Sequence, residues 1–93
     1  MILQIYAFKN NKLRCFTQPF YNDVPEENLA AGTTRAIIDA PEEKRGIYKN
    51  KCLYRLGEFD DTKGKITSCD PVLVLDCDEV IASIDYGKED FKN

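Results

Sequence analysis

Apolar and polar positions alternate most regularly at the start of the chain. Over residues 2–8, Leu3, Ile5 and Ala7 share one face and Gln4, Tyr6 and Phe8 the other, which predicts a strand. The KNNK that follows contains two adjacent asparagines, which tolerate positive φ. It predicts a tight hairpin turn into a short second strand over residues 13–16. The period then lengthens. Pro25 at a first helical position, Glu26 and Glu27 in the first turn, and Leu29, Ala36, Ile37 and Ala40 on one stripe predict a helix ending near Pro41. Gly32 and the Thr33–Thr34 pair weaken its middle. The charged residues 42–50 read as a loop.

Alternation returns over residues 51–56, with Cys52, Tyr54 and Leu56 on one face and Leu53 and Arg55 on the other. A return strand starts near Lys65, and Pro71 must end it, bulge it or place it at a sheet edge. Residues 72–77, VLVLDC, form a dense apolar run that suits a buried strand. DEVIASIDYG fits a short helical turn or a strand equally well, and residues 88–93 read as a frayed polar tail. Together these elements predict an α+β fold in a single domain over residues 1–93. A small antiparallel sheet is built from two hairpins plus an apolar strand, with one helix packed on one face. A small barrel without a packed helix is the alternative.

Charge changes the picture more than composition does. The 93 residues carry a net charge of −3, which argues against a surface that attracts phosphate everywhere. The halves differ, however: residues 1–56 hold nine Lys/Arg against six Asp/Glu, and residues 57–93 hold four against ten. Such polarity can conceal a basic face on an acidic protein. Lys44, Arg45, Lys49, Lys51 and Arg55 are interleaved with Tyr48 and Tyr54. Lys9, Lys12 and Arg14 decorate the first hairpin beside Tyr6, Phe8 and Phe16. Cations following phosphates and aromatic faces stacking on unpaired bases are how single strands are held.

Other chemistries have less to stand on. There is no histidine, which excludes Ser/His/Asp and Cys/His sites but not lysine-based or N-terminal variants. Cys15, Cys52, Cys69 and Cys77 contain no C-x-x-C pair and read as reduced thiols packed as small apolar residues. The five glycines are isolated, so no phosphate loop is present. Two acidic clusters, Glu58/Asp60/Asp61 and Asp76/Asp78/Glu79, would hold a hard cation only if their strands brought them together. Turn chemistry is the simpler reading: an Asp side chain accepts local N–H groups, and Gly64 closes a bulged hairpin. No metal, cofactor or catalytic group is expected. No signal peptide and no bilayer-length apolar run is found at the sequence level. A third class remains, a module whose exposed hairpin edge adds a strand from a second copy or another protein.

The stretch YRLGEFDDTKGKI carries a more specific signal. With MILQIYAF at the start and PF at Pro19–Phe20, it resembles the small nonstructural protein of gokushovirus-type microviruses, bacteriophages with single-stranded DNA genomes. The shared motif has the form Y-x-L-G-x-F-D-D, met here by Tyr54, Leu56, Gly57, Phe59, Asp60 and Asp61. The resemblance spans roughly residues 1–75, and the proline and charged break within TTRAIIDAPEEKRGIYKNK depart from it. It implies a non-enzymatic protein of the host bacterial cytoplasm that binds single-stranded DNA during genome replication or packaging. The expectation is therefore a homodimer in contact with single-stranded DNA through Lys9, Lys12, Arg14, Lys44, Arg45, Tyr48, Lys49, Lys51, Tyr54 and Arg55, without membrane contact. The alternative is a regulator that binds phage or host replication proteins and never touches nucleic acid.

Overall fold

A computed structural model describes the backbone of residues 1–91 and the side chains of residues 1–84. The expected frayed tail at 88–93 lies outside the fully described residues. The chain runs β1 (Ile2–Asn10), β2 (Cys15–Phe16), β3 (Phe20–Asn22), α1 (Glu26–Asp39), a 3-10 helix (Glu42–Tyr48), β4 (Lys51–Asp60), β5 (Lys65–Asp76) and α2 (Cys77–Phe91). All strand pairs are antiparallel, in the order β2-β1-β4-β5, and β3 also pairs with β1. The fold is α+β, as the hydrophobic pattern predicts.

Both hairpin turns are built the same way. In the first, the Asn10 side-chain oxygen accepts the N–H groups of Lys12 and Leu13 at 3.0 and 2.9 Å, and Arg14 closes the turn at φ 58°. In the second, Asp60 accepts from Thr62 and Lys63 at 3.0 and 3.2 Å, and Gly64 closes it at φ 64°. Hence Leu13 and Arg14 belong to the turn, and the second strand is Cys15–Phe16 rather than residues 13–16. The left-handed position suits Gly64 and strains Arg14. Arg14→Gly is expected to stabilise the chain by about 0.5–1 kcal/mol, because relieved strain exceeds the added unfolded-state entropy. A thermal melt would show a rise of several degrees; an unchanged or lower Tm would oppose this account.

α1 begins as expected, though Pro25 is its N-cap at ψ 142° and not its first helical residue. Thr33 and Thr34 are tolerated inside it because their hydroxyls donate to the Leu29 and Ala30 carbonyls at 2.8 Å. Residues 42–50 are not a plain loop: seven of them form a 3-10 helix starting just after Pro41. From it, Arg45 Nε and an Arg45 terminal nitrogen donate to the Ile37 and Ile38 carbonyls, at 3.2 and 3.1 Å, satisfying the end of α1.

Two expectations about the last third need correction. The apolar run 72–77 is no buried strand: β5 is exposed from Lys65 to Leu73 and lies at the edge of the sheet. Beyond Asp76 the chain turns into a second helix, where one helix was expected. Cys77, Val80, Ile81 and Ile84 fall at helical spacing, and with Ile37 they form the core under Phe8, Tyr48 and Leu75. Asp76 starts α2 by accepting the Asp78 N–H at 3.0 Å, and Glu79 stands three positions on, the order of a capping box.

Pro71 is accommodated by a bulge. Val72 pairs with Arg55 and Ser68 with Gly57, so residues 69–71 stand against Leu56 without partners. Because β4 and β5 are antiparallel, Asp60 and Asp76 lie at opposite ends of the pair. With Asp76 level with Cys52, eight β4 positions separate them, roughly 25 Å. The acidic clusters therefore do not converge. Among the described residues no group of three or more His, Cys, Asp or Glu could hold a metal. Four thiols are free, but only Cys52 and Cys77 are packed inside; Cys15 and Cys69 are exposed. Burial pushes the Cys77 thiol up to about 11 and raises Cys52 as well.

Candidate nucleic-acid interface

Directly opposed residues of an antiparallel pair share a face, so the register sorts every sheet side chain. Tyr6 and Phe8 of β1, Leu53 and Arg55 of β4 and Phe20 of β3 lie on the face covered by the helices. Phe20 stacks there on Tyr6 and Phe8, with centroids 5.9 and 6.2 Å away. Glu26 in the first turn of α1 locks the layers together. It accepts from Arg55 Nε at 2.8 Å and from the Tyr6 hydroxyl at 3.3 Å. Burial and the Glu26 charge raise the Tyr6 pKa.

The opposite face has no helix over it. Its first row is Phe16, Lys9, Cys52 and Asp76; its second is Ala7, Tyr54 and Leu73. The third holds Tyr21, Ile5, Gly57 and Ser68, and the fourth Leu3, Phe59 and Ile66. Four rings stand on this face in two pairs. Phe16 meets Tyr54 edge-on at 5.7 Å, and Tyr21 meets Phe59 tilted at 5.4 Å. In the rows between them, Ile5 and Ala7 are buried, so the rings and their neighbours cover the middle of this face. The Lys9 ammonium sits 5.8 Å from the Phe16 centroid, held over the ring face.

The cations gather at one end of the sheet. Lys12 and Arg14 lie in the turn that follows β1, and the Asn11 N–H donates to the Asn50 carbonyl at 2.7 Å. That bond ties the turn to the stretch carrying Lys49 and Lys51. Of the ten residues expected at a binding site, Lys9, Lys12, Arg14 and Tyr54 are thus brought to one end of the sheet, with Lys49 nearby. Lys51 pairs with Asn10 and faces the helix side, beside Phe8, Ile47 and Tyr48. The other four are placed elsewhere. Arg45 caps α1 and Arg55 pairs with Glu26, both in the helix layer. Tyr48 packs against the core from the 3-10 helix, and Lys44 is exposed on that same helix.

Residue-by-residue reading missed Phe16 as a ring partner of Tyr54, and missed Tyr21 and Phe59 altogether. The signal was present in the parity of positions: once Ala7 faces away from the helix, so do its cross-strand neighbours. The shared motif also acquires physical content here. Tyr54 and Phe59 supply rings, Leu56 marks the bulge, Gly57 allows close approach of β5, and Asp60 caps the turn. Asp61 accepts from the Met1 amino group at 2.8 Å, which holds its carboxyl below the usual carboxylate range.

This architecture defines an α+β protein with a half-covered antiparallel sheet and an aromatic open face. Residues 3–80 match the family model described as Phage ORF5 protein, and the chain belongs to that family. It is a bacteriophage protein. No curated protein and no solved structure matches it. Among the described residues no helix is long and apolar enough to cross a membrane.

Proposed function

We propose that this phage protein is a non-enzymatic binder of single-stranded DNA acting in genome replication or packaging in the host bacterial cytoplasm. The observation that carries the reading is the sheet face without a helix over it, where two ring pairs stand and Lys9 lies over the Phe16 ring at one end. Stacking needs unpaired bases, because the faces of paired bases are already stacked inside a duplex. Phosphates would run past Lys9, Lys12 and Arg14, with Lys49 and Lys51 adding field from the side. The acidic second half divides. The Asp60–Asp61 tip lies at the far end of the sheet. Asp76 is level with Cys52 at the cation end and Asp78 accepts the Asn50 N–H there at 3.0 Å, so these two carboxylates weaken the positive field of that end.

Fluorescence anisotropy with a labelled single strand and its duplex, at rising salt, tests the proposal. Expected is preference for the single strand and affinity that falls as salt rises. No binding at low salt, or binding indifferent to salt, would overturn it. A second reading, regulation through protein contact, draws on the free edge of β5, with Ile66 60% and Leu73 55% exposed. An edge of this kind can add a strand from a second copy or from a phage or host replication protein. Its signature is a stable protein complex with no DNA shift.

A further inference from the structure

Beyond the second ring pair the open face runs into a cavity of about 450 Å³, lined by Met1, Leu3, Tyr21, Asn22 and Asp23. Its chemistry is mixed in a way a plain stacking surface is not. Leu3 and the Tyr21 ring are apolar walls, and Tyr21 stays 54% exposed beside its 5.4 Å contact with Phe59, so part of its surface lines the cavity. The Asn22 oxygen is occupied, accepting the Val24 N–H at 2.9 Å, which leaves its amide nitrogen as a donor. Asp23 is exposed to solvent, and among the described residues its carboxylate has neither an ion pair nor a hydrogen-bond partner. A flat apolar wall beside an unspent two-oxygen acceptor is complementary to a planar ring carrying two adjacent donors.

Among the bases of DNA that description fits guanine, whose N1–H and 2-amino group lie side by side on one edge. Thymine presents a single N–H flanked by two carbonyl oxygens, which a carboxylate repels. Cytosine and adenine offer one amino group next to a ring acceptor. The geometry points to a nucleobase site in this cavity that takes an unpaired guanine, stacked on Tyr21 and donating its N1–H and 2-amino group to Asp23. The inference rests on the single-stranded DNA reading and adds to it a base preference at one position.

Three strands of about ten nucleotides decide it: all thymidine, alternating guanine and thymine, and alternating hypoxanthine and thymine, which lacks the 2-amino group. The guanine strand is expected to bind roughly tenfold tighter than the thymidine strand, the size of a good bidentate contact. Hypoxanthine should lose most of that gain. Asp23→Asn should bring all three strands close together while leaving thymidine binding intact. Equal affinity for guanine and thymidine strands would overturn the guanine site and leave the general reading standing. So would a guanine preference that survives Asp23→Asn, since it would come from purine stacking alone. If none of the three strands binds, the reading itself falls, and the site with it.

Discussion

Gly57→Ala is expected to lower stability by about 2–4 kcal/mol, the largest effect of a methyl addition at any of the described glycines. A Cβ on Gly57 would stand 2.3 Å from the Thr67 carbonyl oxygen and 2.9 Å from the Ser68 Cα. Both are backbone atoms, so no side-chain rotation can relieve the clash. At φ 157° the position is also one that L residues rarely adopt. β5 would have to lift away from β4 just below the bulge, giving up ladder hydrogen bonds on the hairpin that carries Phe59. Being an edge strand, β5 has room to move, which caps the cost. Urea or thermal unfolding followed by circular dichroism measures it, and a fall in Tm of ten degrees or more is expected. Gly32→Ala is the control. Nothing lies within 4 Å of a Cβ there, and removing a mid-helix glycine should stabilise by up to ~1 kcal/mol. If Gly57→Ala melts with the parent, the close approach of the two strands is not what selects glycine in the motif.

The second large effect concerns affinity. Phe16→Leu combined with Tyr54→Leu is expected to weaken single-stranded DNA binding roughly ten- to hundredfold, since base–aromatic stacking contributes about 1–3 kcal/mol per base. Leucine keeps apolar bulk over the buried Ala7 while removing the rings, so the far-ultraviolet spectrum and the melt should change little. Tyr48→Leu is the informative comparison. That ring belongs to the helix layer, packed near Phe8 and the Ile37 core, and its replacement should leave affinity unchanged. Loss of binding in Tyr48→Leu but not in the double variant would move the site to the helix side.

Both predictions turn on residues whose neighbours are remote in sequence. The elements themselves were legible locally. Alternation at Leu3–Gln4–Ile5–Tyr6 made a strand, Pro25 with Glu26 and Glu27 made a helix start, and Asn10 and Asp60 made turns, each through contacts within a few residues. The errors have local causes too. The run VLVLDC read as buried because apolar density does not distinguish a central strand from an edge one, and β5 is exposed from Lys65 to Leu73. DEVIASIDYG was left open between a helical turn and a strand because Cys77 was read as the end of the apolar run, although Asp76 and Glu79 hold capping-box spacing and Cys77, Val80, Ile81 and Ile84 hold helical spacing.

The candidate site was half legible. Lys9, Lys12, Arg14 and Tyr54 were found from the clustering of cations and rings in the first half of the chain. Arg45 and Arg55 belonged to the same cluster on paper, yet one caps α1 and the other meets Glu26, a residue twenty-nine positions away. Tyr21 and Phe59 join the site only because β3 and β4 flank β1 on its two sides and bring their rings within 5.4 Å. The sequence by itself determined β1, β4, the start of α1 and where the two hairpins turn, because these follow from steric and hydrogen-bonding preferences within a turn or two. Only the tertiary structure decided which face of the sheet the helices cover and which edge stays free. Those choices follow from how distant apolar faces bury one another, and they leave the Phe16, Tyr54, Tyr21 and Phe59 rings together on the open side.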